Sequence, residues 1–475
     1  MQHKDAYLWG LTSKFGPITI QLVSNFVLAR LLTPEDFGTV GVLAIFFTMA
    51  SALIDSGLGG SLVKEEKISS IDCKTIATFN FFVSLTLYLV LFSFASNIEA
   101  FFQIKNLTNV TRLISLTFII GAWGIVPNAL LSRELKFKTL CIIAITSNLI
   151  SAIIAIILAL MNIGVYALVL FYLINSFVSV LMTCYASKYI PKFGFSKKSF
   201  RRLFSFGFFT TVTLVIDTIY ENILTSLIGK YLNVKHAGYM SQAKKIEDGL
   251  SSSVIKAINN VTFPILTKLR ADNNLFKKEA NSIYTLISML SIPILLTASL
   301  FSTIVVKILL GNQWLNAAFY LRVLLFAGII MEFESLIRSF IKSYCAVNTL
   351  MKATIIKRCV GIMIIIASLW LSPYYLVYGF ILSSFVGYVI NSYVYCKLIH
   401  CDFWSFQVHT VHILIPSVIY YSFMALLANV FCLGDNLCIC CSAALLSIYY
   451  FYILPLYGID SRKRLGEIYK RFHKK

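Results

Sequence analysis

The sequence is organised around long apolar segments, each about as long as a helix that crosses a lipid bilayer. Such a helix needs about 20 mainly apolar residues, whereas membrane β-strands show short alternating patterns that are not found here. The segments therefore predict an all-α integral membrane protein with about 14 transmembrane helices. The predicted spans are residues 13–32, 37–56, 77–97, 110–131, 139–160, 164–187, 203–228, 238–266, 282–304, 319–342, 351–371, 374–397, 409–430 and 437–457.

The composition agrees with this class and argues against soluble domains. Hydrophobic residues make up 58% of the chain and charged residues only 13%, whereas a soluble domain carries roughly 25% charged residues. The formal net charge is nevertheless +20. A basic balance of this size can indicate nucleic acid, an anionic membrane surface or an anionic substrate, so the positions of the charges must decide.

Most basic residues lie in the loops on one side of the predicted spans and in the C-terminal tail. The loops of the opposite side hold few, namely Lys105, Lys230, Lys235 and Lys307. Because Lys and Arg accumulate in cytoplasmic loops, we expect a multi-pass protein with both termini in the cytoplasm. The loops show neither interleaved aromatic residues nor a nucleic-acid-binding module, so we expect no nucleic acid as a partner.

The chain contains a trace of an internal duplication. Residues 28–38 read LARLLTPEDFG and residues 228–238 read IGKYLNVKHAG, which aligns Gly38 with Gly238. Each block joins the first span of a half to the second, and repeated halves are common in transporters. We predict an N-lobe at 1–187, a basic cytoplasmic loop at 188–202, a C-lobe at 203–398, two extra helices at 399–457 and a basic tail at 458–475.

Several segments together resemble the Wzx-type polysaccharide flippases of the multidrug/oligosaccharidyl-lipid/polysaccharide (MOP) superfamily, in the branch of the colanic-acid exporters. In chain order, the segments are LARLLTPEDFG at 28–38, DSGLGGSLV at 55–63, PNALLSRELKFKTL at 127–140, LIGKYLNVKHAGYMSQAKKI at 227–246, FPILTKL at 263–269 and LLGNQWLNAA at 309–318. None is a catalytic signature, but their order and spacing are specific.

The resemblance implies two six-helix lobes plus two C-terminal helices in a bacterial inner membrane, similar to multidrug and toxin exporters (MATE transporters). It implies a flippase that moves undecaprenyl-diphosphate-linked oligosaccharide repeat units across the membrane by alternating access, for the assembly of O-antigen, capsule or exopolysaccharide. Such a protein is not an enzyme. Its expected partners are the lipid-linked oligosaccharide, membrane lipids, a polysaccharide polymerase and a chain-length regulator.

Charged residues within predicted spans are costly and usually face a cavity or a partner. A positive, water-filled space would stabilise a diphosphate away from the headgroups, and Arg binds phosphate through two parallel hydrogen bonds. Amides additionally suit the hydroxyl groups of sugars. The candidate substrate-binding residues are Arg30, Lys244, Lys245, Lys256, Arg338, Arg358 and Asn25.

Two carboxylates are candidates for coupling transport to H⁺ or Na⁺. Asp217 lies near the middle of its span and Glu221 follows one turn later. Desolvation at that depth favours the protonated form of a carboxylate, which suits exchange of a proton or cation. The resembling family often has an Asp near the position of Thr225 here, which weakens a direct transfer of that role. A neighbouring base such as Lys256 would instead neutralise Asp217 permanently.

The same charges also fit a purely structural interpretation. Glu334 and Arg338 are four residues apart, which allows an ion pair on one helix, and Glu221 and Lys245 are expected at similar depth on antiparallel spans. Arg358 can extend to the anionic headgroups instead of facing a cavity. Both interpretations remain open from the sequence.

Other functions are weighed against the flippase. A MATE-like exporter of cationic drugs should have an acidic cavity, whereas the charge here is rich in bases. A lipid II or teichuronic-acid flippase stays open as an alternative. A membrane enzyme would need a nucleophile with a base or a phosphate-binding loop, and neither motif is present. The cluster Cys438, Cys440 and Cys441 lacks CxxC spacing, so we expect no metal and no cofactor.

Overall fold

The computed structural model describes residues 2–55, 58–65, 68–344 and 347–430, together with the single residues 446 and 449. Within these ranges the chain forms α-helices and two short 3-10 turns, Asn312–Trp314 and Pro373–Tyr375, and no strand. The helices are α1 (Gln2–Leu31), α2 (Pro34–Asp55), α3 (Leu58–Lys64), α4 (Ser70–Phe102), α5 (Leu107–Ile114), α6 (Leu116–Ala122), α7 (Ile125–Arg133), α8 (Phe137–Leu160), α9 (Val165–Ser187), α10 (Lys197–Tyr231), α11 (Val234–Lys268), α12 (Asn273–Leu300), α13 (Ser302–Leu309), α14 (Ala317–Tyr344), α15 (Val347–Ser368), α16 (Leu376–Ile399) and α17 (Phe403–Val430).

The all-α membrane class predicted from the sequence is confirmed. Among the described residues, eight helices are long and apolar enough to cross a membrane, or nine if the bent pair Leu107–Ala122 and Ile125–Arg133 counts as one span. Each of the first thirteen predicted spans overlaps a described helix. The fourteenth, 437–457, lies outside the described residues, so the number of fourteen helices stays a prediction.

The span predicted at 110–131 is not continuous. It is divided into α5, α6 and α7, and the axis bends by 43° between α6 and α7. Pro127 explains the second break, because its ring has no N–H to donate and clashes with the carbonyl four residues earlier, at Trp123. The helix therefore ends at Ala122 and restarts after Gly124.

The chain divides into two compact units. Unit 1 comprises Met1–Lys245, Leu309–Ala317 and Thr354–Gly379, and unit 2 comprises Ile246–Ile308, Ala318–Ala353 and the described part of Phe380–Lys475. Unit 1 thus contains α10 and the first turns of α11 as well as the N-terminal helices. The lobe boundaries at 187 and 203 stay a prediction.

The two repeated blocks begin helices in the same way. Before α2, the backbone N–H of Thr33 donates to the Asp36 carboxylate at 2.9 Å, and the N–H of Asp36 donates to the Thr33 hydroxyl at 3.3 Å. Before α11, Asn233 accepts the N–H of His236 at 2.9 Å. In both cases a polar side chain satisfies an N–H that has no partner within its helix. The duplicated sequence therefore encodes equivalent helix caps.

The first turns of α2 and α11 contact each other through their backbones. A Cβ atom on Gly38 would collide with the carbonyl of Val234, and a Cβ atom on Gly238 would collide with the carbonyl of Pro34. The contact is reciprocal, because each glycine faces the first helical residue of the other block. The Ser226 hydroxyl of α10 donates to the carbonyl of Val42 at 3.1 Å and extends this contact.

The segment around 309–318 closes the end of α1. The indole N–H of Trp314 donates to the Ala29 carbonyl at 2.7 Å, and the Gln313 amide donates to the carbonyls of Ala29 and Leu32 at 2.9 and 3.2 Å. The last carbonyls of a helix lack partners within the helix, and these donors supply them. Trp314 is fully buried, with its ring 5.5 Å from that of Phe37.

Alanine at Gly38 or Gly238 should destabilise the protein. The added methyl would collide with a backbone carbonyl that cannot rotate away, and overpacking typically costs about 1–3 kcal/mol. We expect each variant to melt at a lower temperature than the parent in detergent. Gly60→Ala is the matched control, because a Cβ at Gly60 meets nothing within 4 Å. Equal melting of all three variants would refute the contact.

Candidate functional site

Asp217 and Arg358 form an ion pair within unit 1. The Arg358 Nε donates to the Asp217 Oδ1 at 2.7 Å, and the two side chains are only 7% and 15% exposed. The guanidinium carbon also lies 4.1 Å from the centre of the Tyr220 ring, which stabilises the cation through the electrons of the ring. The structure thus brings together a candidate coupling carboxylate on α10 and a candidate phosphate-binding base on α15.

Lys245 of α11 points to the amide of Asn25 on α1. Its ammonium donates to the Asn25 oxygen at 2.7 Å, and the Asn25 nitrogen donates to the oxygen of Gln242 at 2.7 Å. Lys245 also lies 5.3 Å from the centre of the Phe37 ring. Two residues that the sequence nominated separately, Asn25 and Lys245, therefore belong to one network.

Gln242 is the member of this network that the sequence analysis missed. It is fully buried, and its amide nitrogen has no hydrogen-bond partner among the described residues. A signal was present, because Gln242 lies three residues before Lys245, on the same face of α11. Its buried N–H₂ group is a donor available to a ligand.

Lys244 and Glu221 are adjacent, but not as an ion pair. The Lys244 ammonium donates to the backbone carbonyl of Glu221. The pair expected between Glu221 and Lys245 is not found among the described contacts, since Lys245 donates to Asn25 instead. Arg30 lies at the end of α1, where its Nε donates to the carbonyl of Leu309 at 3.4 Å.

The remaining predicted residues lie in unit 2. Glu334 and Arg338 are four residues apart on α14, and Glu334 is buried with an oxygen against Gly387. The side chain of Lys256 is outside the described part of the structure. The assignment of Lys256 and Arg338 to substrate binding therefore stays a prediction.

Unit 2 also buries two carboxylates that the sequence analysis did not select. Glu332 accepts a hydrogen bond from the Ser291 hydroxyl, and its second oxygen has no partner among the described residues. Glu247 accepts a hydrogen bond from Ser251 at 2.6 Å and packs against Gly328. Each accepts a hydrogen bond from a neutral hydroxyl.

Arg358, Lys244 and Lys245 differ in whether a carboxylate lies beside them, and this difference decides what each can bind. Arg358 is already compensated by Asp217. Lys244 and Lys245 donate to a carbonyl and an amide, and no carboxylate lies within ion-pair distance of either among the described residues. The Lys245 contact is partly buried, and a partly desolvated cation without a counter-charge is unfavourable. An anionic ligand would stabilise both ammonium groups.

A comparison with known families decides the class. A family profile described as "Polysaccharide biosynthesis protein" matches residues 27–319, which is more than half of the chain. The chain belongs to the polysaccharide biosynthesis protein family. The resemblance found in the sequence is thereby confirmed.

Two relatives are similar to this chain over about two thirds or more of their own length. The teichuronic acid biosynthesis protein TuaB of Bacillus subtilis is 25% identical over 68% of this chain and 67% of its own. The lipopolysaccharide biosynthesis protein WzxC of Escherichia coli is 22% identical over 82% of this chain and 80% of its own.

Solved structures show the fold. A structure titled as the lipid II flippase MurJ in an inward closed conformation matches with a TM-score of 0.76 and 15% identity, covering 94% of this chain and 99% of the other. A multidrug resistance MATE family transporter of the MOP superfamily, in an inward-facing conformation, matches with a TM-score of 0.66 and 14% identity, covering 81% and 94%. The predicted MOP and MATE-like fold is confirmed.

Neutralising one partner of the ion pair between Asp217 and Arg358 should lower the stability of the protein more than neutralising both partners. Asp217→Asn or Arg358→Met alone leaves a buried charge without its partner, which costs about 3–5 kcal/mol. The double variant should recover part of this loss, and a double-mutant cycle on melting in detergent measures it.

The exposed pair of Glu134 and Lys136, 2.6 Å apart with side chains about half exposed, provides the matched control. Neutralising it should cost less than about 1 kcal/mol. If both cycles give the same small coupling energy, the buried pair contributes no more to stability than the exposed pair.

Proposed function

We propose that this protein is a flippase that moves polyprenyl-diphosphate-linked oligosaccharide repeat units across the bacterial inner membrane for polysaccharide assembly. It acts as a transporter and not as an enzyme. Membership of the polysaccharide biosynthesis protein family supports the proposal. The similarity to TuaB and WzxC supports the substrate class, and the fold shared with MurJ supports the type of transport.

The observation that carries the proposal is the pair of adjacent lysines, Lys244 and Lys245. Their ammonium groups contact neutral acceptors, although charged groups at membrane depth usually pair with opposite charges. A diphosphate must leave the headgroup layer during transport, and its negative charge would be stabilised by this uncompensated pair. Gln242 and Asn25 add amide donors beside it.

Arg358 contributes in a second step. Asp217 holds the Arg358 guanidinium at 2.7 Å. When the diphosphate enters, its oxygens compete with Asp217 for Arg358, because Arg binds phosphate through two parallel bonds. Asp217 then gains a proton or Na⁺ as its replacement partner, with Glu221 one turn away. This exchange couples binding to a counter-ion.

The orientation follows from the basic loops. Both termini and the basic loop at 188–202 lie in the cytoplasm, where the lipid-linked substrate is made, and the lobes open alternately to each side. Arg30, Lys256 and Arg338 are further bases that meet the substrate along its path. A polymerase and a chain-length regulator receive the translocated unit.

One observation favours a second function. Unit 2 buries the carboxylates Glu247, Glu332 and Glu334, and an acidic interior suits an exporter of cationic drugs. A MATE transporter shares the fold, which shows the fold alone. We favour the flippase because the adjacent lysines of unit 1 donate to neutral acceptors.

Deletion of the gene should stop surface polysaccharide and leave lipid-linked repeat units in the cytoplasmic leaflet. Polymer on the cell surface and lipid-linked intermediates in extracts measure this directly. Unchanged polymer together with greater sensitivity to cationic drugs would establish the exporter instead. Loss of peptidoglycan precursors at the surface would indicate a lipid II flippase.

Reversing the charge of Lys244 and Lys245 together should abolish complementation of the deletion, because two carboxylates would repel the diphosphate. The double change to Arg keeps both charges and should retain at least part of the activity. Lys105→Glu, exposed between α4 and α5, is the control that should complement. Membrane levels are measured by immunoblot, and full activity of the reversed variant would exclude both lysines from the site.

A further inference from the structure

Unit 1 contains a cavity that the cationic residues do not line. Its volume is about 530 Å³, within the roughly 300–1,000 Å³ typical of small-molecule sites. The walls come from α2, α5, α6, α7 and α9, and all of them lie within unit 1. None of the lining residues, all of which the structure describes, is Lys, Arg or His.

The polar groups of the cavity follow helical faces. Thr48, Ser51 and Asp55 are spaced by three and four residues along α2, and all three are exposed to the cavity side of the helix. Across the cavity, α9 supplies Asn175 and neighbouring serines, and α7 supplies Asn128. Polar side chains aligned on one face of a membrane helix indicate contact with water or a polar ligand and not with lipid.

The break in the span between α6 and α7 occurs at the wall of this cavity. Gly121, Ala122, Gly124 and Ile125, which flank the 43° bend, all line it. Irregular backbone at membrane depth is tolerated where it borders a cavity, and discontinuous helices commonly form transporter binding sites. The break is therefore an observation independent of the polar lining, and both point to a ligand.

The lining also limits the chemistry of that ligand. Hydroxyl and amide groups lie beside the aromatic faces of Phe47, Phe118 and Tyr172, a combination that binds sugar rings through hydrogen bonds and apolar contact. The one charge is the carboxylate of Asp55, which accepts the backbone N–H of Gly59. A diphosphate has no cation here, and an acidic sugar would be repelled.

We infer that this cavity binds the sugar part of the substrate and that Asp55 makes it selective for neutral sugars against uronic acids. The diphosphate and the glycan are then bound at chemically different places, the first by cations and the second by hydroxyls, amides and one carboxylate. Asp55 determines specificity and does not take part in holding the diphosphate. The inference rests on the proposed function, because it divides one lipid-linked substrate between two places.

The test measures dissociation constants of the full-length protein in nanodiscs for three probes: a short polyprenyl diphosphate without sugar, the same lipid carrying glucose, and the same lipid carrying glucuronic acid. In the parent we expect the glucuronic acid probe to bind about tenfold more weakly than the glucose probe, because of repulsion by Asp55. Asp55→Asn should reduce this ratio to within about twofold and leave the sugar-free diphosphate unchanged.

Two matched controls accompany this variant. Glu134→Gln removes an exposed carboxylate outside the cavity and should leave the ratio as in the parent. Gly121→Leu projects a side chain into the cavity, since its Cβ meets only Ser176 at 3.8 Å. It should abolish the extra affinity that glucose confers, whereas Gly60→Leu, outside the cavity, should not. Melting temperatures confirm that each variant is folded.

The outcomes separate the inference from the proposed function. If the sugar-free diphosphate binds but Asp55→Asn leaves the ratio at its parental value, the cavity does not select the sugar and the flippase proposal stands. If Na⁺ at constant ionic strength displaces the glucose probe only when Asp55 is present, the cavity is a cation site and the inference is wrong. If the sugar-free diphosphate does not bind, both proposals fail.

Discussion

The reciprocal backbone contact between α2 and α11 is the constraint on which the site in unit 1 depends. Gly38 and Gly238 allow the two first turns to approach until backbone meets backbone. Gln242 and Lys245 follow Gly238 by four and seven residues, so they continue the same face of α11. The contact that holds the helices together thus also directs these two side chains toward Asn25 of α1. A larger residue at either glycine would displace the network together with the helix.

The described charged residues differ in the kind of group that they contact. Lys244 and Lys245 contact neutral acceptors, and Arg358 contacts Asp217. Glu247 and Glu332 of unit 2 each accept a hydrogen bond from a hydroxyl. Inside a membrane a charge without a counter-charge costs free energy. Such charges are retained mainly where they have a function, such as binding a ligand. In the proposed function, a diphosphate would therefore stabilise the lysines most, whereas Arg358 would first have to be released from its carboxylate.

The fold was largely predictable because each span must supply about 20 apolar residues to the bilayer, which marks it in the sequence whatever its neighbours are. Pro127 marks an interruption of the span 110–131 in the sequence, but only the structure shows that the helix ends at Ala122. The duplication was detectable from Gly38 and Gly238, but only the structure shows why both must be glycine: each faces a backbone carbonyl of the other block.

The site was predicted less completely, because pairing depends on which side chains come within about 3 Å of each other. The sequence left open that Lys256 or another base neutralises Asp217, and the described partner is Arg358, 141 residues away in sequence. Lys245 was expected beside Glu221, yet it reaches Asn25. The residue types predicted a structural or functional role for these charges, whereas helix packing determines which partners they contact. In the proposed function, only a small part of the net charge of +20 binds substrate, namely the cations without counter-charges.

Movement of a lipid-linked diphosphate across a bilayer by the purified protein is the central claim, and one measurement tests it directly. The protein is reconstituted in vesicles that contain a fluorescent polyprenyl-diphosphate oligosaccharide, and a membrane-impermeant quencher reports the fraction of lipid that reaches the outer leaflet. The account predicts that the protein makes the inner-leaflet lipid accessible and that Lys244→Gln with Lys245→Gln slows this movement. Accessibility equal to that of protein-free vesicles, with folded protein present, would contradict it.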